Sequence, residues 1–427
     1  MGGGTPTAGA ARGGGLPASL PGGARFALTV LTAMNLLNYM DRVIPSAVKD
    51  LYKADLGIDD LDSGFPMTAF IVVYMLASPV FASLADRWPR RVLLAAGVAI
   101  WSLATGAAAL ATGFWTFILA RAFVGVGEAA YATIAPALLG DIYPAERRNR
   151  VLTIFYVAIP IGAAVGFILG GVLGSRFGWR VAFLACGLPG VLTAFLALRI
   201  RDPGRGTGEE GGAAEVVPWA EAVPLLLRNR TYVVAVAGYA AVTFATMGMG
   251  DWLVAFLSRH RGMTLDEANA IIGAATVVGG LGGTILGGIL ADRLRGRTRH
   301  PYLGLSALSM IAATGFAAAA LLAEGKAAIG ACILLAQFFL WFYSGPINAL
   351  ILNSVPAALR VRAFALSILC IHVLGDAISP PIIGAISKSG GGGRLPLALW
   401  VVPAAMAVAC AIWTLGWRRL PEPAAAA

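Results

Sequence analysis

Asn38, Tyr39, Met40, Asp41 and Arg42 set a carboxylate beside a guanidinium inside an otherwise apolar run. Arg121 and Glu128 lie seven residues apart in a second such run, two helical turns, so both project from one face. Carboxylates shielded from water take up and release protons, and guanidinium groups fork onto phosphate or carboxylate. Those residue types therefore suit a proton pathway and an anion site. His372 and Asp376, four apart in a later run, suit a helix-stabilising pair and a transport role equally. Hydrolytic and ATP-driven chemistry are poorly served. None of the three histidines belongs to H-E-x-x-H, and neither a G-x-S-x-G elbow nor a G-x-x-x-x-G-K-[ST] loop occurs. The four cysteines fall in apolar runs without C-x-x-C spacing and read as packing residues, so neither a metal nor a cofactor is expected.

The elements holding these charges must be membrane helices. The chain has 427 residues, 58% hydrophobic and 13% charged, with a mean hydropathy of +0.78. A soluble domain carries roughly a quarter charged residues. About twelve apolar runs near the roughly 20 residues needed to cross a bilayer begin near Arg25, Gly64, Arg91, Phe114, Arg150, Trp179, Thr231, Asn269, Tyr302, Lys326, Arg362 and Leu395. At 1.5 Å per residue, Asp41 lies about 24 Å along a span entering at Arg25. Arg121 lies about 10 Å along an opposed span starting at Phe114, at a similar depth. A charge at the bilayer centre costs at least about 2.5–3.5 kcal/mol, so these groups should pair around a shared polar cavity. A static network fixing helix register is the alternative. Asp251 reads as an interfacial charge, and Asn348 and Asn353 as helix–helix hydrogen-bonding groups. Lipid-chain lining and plain packing both suit the aromatic run Gln337–Tyr343, and packing alone would also explain the glycines of the fifth span.

The net charge of +10 is topology rather than a nucleic-acid footprint. Arginines crowd every second loop, whereas the acidic stretch from Asp55 to Asp62 falls on the other side. Both termini and the central loop are therefore expected in the cytoplasm. Residues 1–24 are expected to be a disordered tail rather than a cleaved signal peptide, with the first span its own targeting signal. LADR recurs at Leu84–Arg87 and Leu290–Arg293, about half the chain apart. That repeat predicts an all-α membrane protein of two pseudo-symmetric six-helix bundles, residues 25–201 and 231–420. A cytoplasmic linker, 202–230, would join them, and 421–427 would be a second tail.

Around the first copy, Ala82, Asp86, Arg87, Arg90 and Arg91 resemble the major facilitator signature G-x-x-x-D-R-x-G-R-R, with Ala82 and Pro89 in place of glycines. The second copy keeps Gly288, Asp292 and Arg293. The resemblance implies a conformational latch on the cytoplasmic side at Asp86, Arg87, Arg90, Arg91, Asp292 and Arg293; interfacial charges that only set topology are the alternative. NYMDR, GVGEAAYATIAPALLGD, FYVAIPIGAAVGF and HVLGDAISPPIIG further resemble the Spinster family of lysolipid and sphingolipid transporters. This implies a cavity involving Asp41, Arg42, Arg121 and Glu128. Glu128 and Asp41 would carry the proton-linked role, and Arg42 and Arg121, with Tyr39 and Asn38, would bind substrate. The expected protein is not an enzyme but a monomeric, proton-coupled, alternating-access carrier of an anionic amphipath in a bacterial cytoplasmic membrane. Its partners would be that substrate, protons and membrane lipids, with no nucleic acid. A major facilitator carrier of small organic anions or drug-like amphiphiles is the alternative.

Overall fold

A computed structural model describes residues 22–204, 217–294, 297–391 and 393–420. The first half holds α1 (Gly22–Ala47), α2 (Lys49–Leu56), α3 (Asp60–Arg87), α4 (Arg90–Ala108), α5 (Phe114–Ile142), α6 (Ala145–Phe177) and α7 (Trp179–Ala197). After α8 (Trp219–Arg228) come α9 (Arg230–His260), α10 (Leu265–Leu294), α11 (Pro301–Leu322), α12 (Lys326–Leu340) and α13 (Ser344–Asn353). The chain closes with α14 (Arg360–Ile371), α15 (Ser379–Lys388), α16 (Leu395–Ala398) and α17 (Val401–Arg419). A 3₁₀ turn at Trp341–Tyr343 joins α12 to α13, and a π segment at His372–Asp376 leads from α14 towards α15, so each pair forms one broken span.

Among the described residues, eleven helices are long and apolar enough to cross a membrane. The expected twelfth is α1, 26 residues long. Asn35, Asn38, Asp41 and Arg42 lower its apolarity, and the first three are buried inside the protein. The helix that carries the site is thus the one least recognisable as a span. Two expected boundaries shift. The first helix begins at Gly22, three residues before Arg25, and α8 forms within the expected linker; residues 205–216 lie outside the described residues, as do 1–21 and 421–427 of the expected tails.

The internal repeat reappears as a repeat of packing. In the first half α1 packs on α6, α3 on α5, and α4 on α5 and α7. Six spans later α9 packs on α14, α10 on α12, and α11 on α12 and α17. The halves meet along α6 with α10 and α3 with α15. Small residues permit the close approaches. A Cβ on Gly162 would stand 2.4 Å from the Leu36 carbonyl oxygen of α1, and one on Gly287 equally close to that of Phe342. Gly162, Gly166 and Gly170 of the fifth span thus face α1, whereas Gly171 faces Asn269 of α10. Phe338 and Phe342 of the aromatic run pack against α10, which favours packing over a lipid-chain pocket.

Candidate functional site

α1 and α5 bring the four predicted charges together as two crossed ion pairs. Arg42 donates through Nε to Oε2 of Glu128 at 2.6 Å. Nη1 of Arg121 lies 3.6 Å from Oδ1 of Asp41, and Thr105 of α4 donates its hydroxyl to Oδ2 of the same carboxylate. The crossing follows from helix geometry. Neighbouring residues point about 100° apart around an α-helix, so Asp41 and Arg42 leave α1 in different directions and each meets one of two groups set two turns apart on α5.

Exposure separates the four. The side chains of Arg121 and Glu128 are 0% exposed and that of Asp41 1%, whereas that of Arg42 is 21% exposed. Arg42 lies against three rings, its Cζ 4.7 Å from the centroid of Tyr39, 5.1 Å from Tyr74 and 5.2 Å from Phe70. Arg121 reaches the same Phe70 ring at 5.4 Å, so one ring is shared by both guanidinium groups. Such cation–π contacts hold a charge in a fixed place when carboxylates are few. Several buried atoms have no hydrogen-bond partner: Oε1 of Glu128, Oδ1 of Asp41, Nδ2 of Asn38 and all three guanidinium nitrogens of Arg121. Unmet hydrogen-bonding capacity at this density belongs to a site that a proton, water or ligand completes.

Of the expected substrate-binding residues, Arg42 and Tyr39 are partly open and Arg121 and Asn38 are not. Arg121 is fully buried beside Phe70 as the counter-ion of Asp41. Sequence reasoning missed Thr105, Phe70 and Tyr74, which come from α3 and α4 and carry no charge. Tyr74 extends the site to the second half: its ring meets His372 edge-on, centroids 6.1 Å apart. His372 Nδ1 lies 2.7 Å from Oδ2 of Asp376, so the expected four-residue pair forms, within the π segment. Asn348 bonds the Ser344 carbonyl of its own helix at 2.7 Å, whereas Asn353 is exposed.

The halves are locked together at the end opposite the arginine-rich loops. Asp251, expected as an interfacial charge, is instead buried there and bridges the halves. It accepts from Lys49 Nζ at 2.5 Å and from Ser46 Oγ at 2.8 Å, and the Lys49 ammonium also lies 4.0 Å from the Trp252 ring centroid. The expectation failed because α1 and α2 cover the end of α9, which no local sequence feature reports. Burial pushes the pKa of Lys49 down, against the pull of Asp251. Beside this pair, Arg259 of α9 donates to Asp50 at 2.9 Å and to Asp60 at 3.0 Å. Asp60 also accepts from Ser387 at 2.5 Å. At the rim Lys388 pairs with Asp59 at 2.6 Å, and Asn269 donates to the Ala47 carbonyl at 3.0 Å.

At the arginine-rich end, Arg90 is buried and joined to Asp141 at 2.5 Å and to both oxygens of Asp202 at 3.0 and 2.5 Å. These bonds join the start of α4 to the end of α5 and to the start of the central linker. Arg87, Arg91, Asp292 and Arg293 are exposed, and the side chain of Asp86 lies outside the described residues. Asp141 and Asp202 were missed because they follow the signature by about 50 and 110 residues.

Comparison with known proteins agrees with this architecture. The model of the Major Facilitator Superfamily matches residues 31–380. "Protein spinster" of Drosophila melanogaster is 33% identical over 376 residues, covering 85% of this chain and 62% of its own length, so the chain spans less than two thirds of that relative. "Sphingosine-1-phosphate transporter SPNS2" of Danio rerio is 31% identical over 379 residues, covering 84% of this chain and 75% of its own. A solved bacterial homologue of the human lysosomal transporter Spinster, inward-facing and unoccupied, superposes with a TM-score of 0.81 at 23% identity, covering 93% of this chain and 96% of that one. The repeated packing of the two halves, the matching family model and these relatives together establish that the chain belongs to the Major Facilitator Superfamily, in its Spinster family of transporters.

Proposed function

We propose that this transporter carries an anionic, amphipathic lipid, a lysophospholipid or sphingoid phosphate, by proton-linked alternating access. The observation that carries the reading is the Arg42–Glu128 pair: a partly open guanidinium held by a fully buried carboxylate whose second oxygen has no donor. A headgroup phosphate entering beside Tyr39 and Tyr74 competes with Glu128 for the fork of Arg42. Once Arg42 turns to the phosphate, Glu128 is a buried carboxylate without its cation, and a proton neutralises it. Protonation in turn frees Arg42 for the headgroup. Proton and anion uptake are therefore linked in the same direction, while Asp41, held by Arg121 and Thr105, forms a second protonatable group beside them.

The locked end is the outer gate in this reading, because the arginine-rich loops face the cytoplasm. The cavity then faces inward, and the exposed Arg87, Arg91, Asp292 and Arg293 are a cytoplasmic latch in its released state. The name of the zebrafish relative, a sphingosine-1-phosphate transporter, supports an anionic lipid as cargo.

Proteoliposomes loaded with radiolabelled lysolipid, with and without an imposed pH step, test the proposal. Wild-type flux should follow the step. Glu128→Gln should bind lysolipid with an affinity less dependent on pH than the wild type and lose gradient-driven flux, while eluting and melting as a folded protein. Uptake of small carboxylates with no response to lysolipids would overturn the lipid reading in favour of an organic-anion carrier.

A further inference from the structure

α8 is too short, at ten residues, to cross a bilayer, yet it exposes apolar side chains outside the spans. Ala222 and Leu226 are buried against the second half. Leu225 and Leu227 lie on either flank of Leu226, 50% and 61% exposed, and Trp219 at the start of the helix is also exposed. Beside it, Val361 of α14 is 73% exposed. Hydrogen bonds stitch these segments into one surface: Arg362 donates to the Val217 carbonyl at 3.3 Å, Asn229 to the Ser354 carbonyl at 2.6 Å, and Tyr232 to the Ala363 carbonyl at 2.9 Å. The Arg362 guanidinium also lies 4.7 Å from the Trp219 ring centroid. Around the apolar residues stand Arg228, Arg230 and Arg360, all exposed, and Glu221 is the sole acidic residue in the stretches 217–230 and 354–362.

Tryptophan and leucine flanking a short helix, ringed by arginines, match the interfacial layer of a bilayer. The rings and methyls sit at headgroup depth and the guanidinium groups reach phosphates. We propose that α8 and the start of α14 form a binding surface for anionic headgroups of the leaflet on the arginine-rich side, distinct from the transported substrate. Charge complementarity selects the occupant, since a neutral headgroup offers three exposed arginines no net attraction. The site lies at the end of the broken span that faces α3 across the halves. Headgroups bound there hold that span's end at the membrane surface.

The test uses the full chain in nanodiscs of phosphatidylcholine with brominated phosphatidylglycerol or, separately, brominated phosphatidylcholine. The signal of Trp219 is taken as the difference in quenching between wild type and Trp219→Phe. Brominated phosphatidylglycerol should quench it more strongly than brominated phosphatidylcholine, and high salt should remove the excess. Each arginine near a charged leaflet is worth about a fivefold preference. Replacing Arg228, Arg230 and Arg360 together by Gln should therefore abolish the excess, while Trp219 stays quenched by both lipids and the melting temperature in detergent is unchanged. Equal quenching by the two lipids in wild type, or an excess that survives in the triple variant, would overturn the proposal. So would a Trp219→Phe protein quenched as strongly as wild type, which would put Trp219 outside the bilayer and leave the face to another partner.

Discussion

Removing one partner of the Lys49–Asp251 pair should open the outer gate. Both side chains are nearly inaccessible, 1% and 3% exposed, and the pair joins α2 to α9 across the halves. Deleting one partner of such a pair costs about 3–5 kcal/mol, because the remaining charge is stranded in an apolar setting. In this molecule the cost applies only while the gate is shut, since opening returns the stranded ion to water. The penalty therefore acts on the conformational equilibrium. At about 1.4 kcal/mol per tenfold, 3 kcal/mol shifts the ratio of open to shut about a hundredfold. Arg259, which still ties Asp50 to Asp60, opposes the shift and makes that figure an upper bound for Asp251→Asn, whose amide keeps part of the hydrogen bonding. Lys49→Met should approach it. The double variant Lys49→Met with Asp251→Leu strands no charge and should return towards the wild-type equilibrium. Spin labels on α3 and α15 near the gate, read by double electron–electron resonance, report the separation directly. If Lys49→Met and the double variant both keep the wild-type distance distribution, the pair is not a gate and the reasoning fails.

Three further outcomes follow from the same geometry. Arg42→Ala should weaken lysolipid binding, measured by titration in detergent, whereas Arg121→Ala should chiefly lower the melting temperature by stranding Asp41; the reverse ranking would place the headgroup at Arg121. The Asp59 carboxyl sits below its ordinary value: burial pushes it up, but the hydrogen bonds from Lys388 and from the backbone of Asp62 and Leu61 outweigh that. Its contribution to closure is present above the ordinary carboxylate pKa and is lost as pH falls through the depressed one. Label distances across the rim should therefore widen below about pH 4, and Asp59→Asn should lose that acid response. Gly162→Ala forces a Cβ against the Leu36 carbonyl and should cost about 1–3 kcal/mol in stability. Gly106→Ala, whose Cβ meets nothing within 4 Å, should not; equal melting temperatures would deny the close approach of α1 and α6.

The sequence alone determined the class of protein, because bilayer thickness and the cost of buried charge act on composition and on the length of apolar runs, both local properties. It also singled out Asp41, Arg42, Arg121 and Glu128, since charges in hydrocarbon are conspicuous at any register. Which carboxylate meets which arginine depended on the rotation of α1 against α5, and a helix sequence specifies its faces but not the partner each face meets. Arg121 and Arg42 look alike in the chain, and both pair with a carboxylate; only packing buried the first fully and left the second partly open. Asp251 resembled any charge at a helix end until α2 folded over it and turned it into a bridge between the halves. The lock between the halves was illegible because its residues are far apart in sequence, and their attraction exists only where the two halves touch.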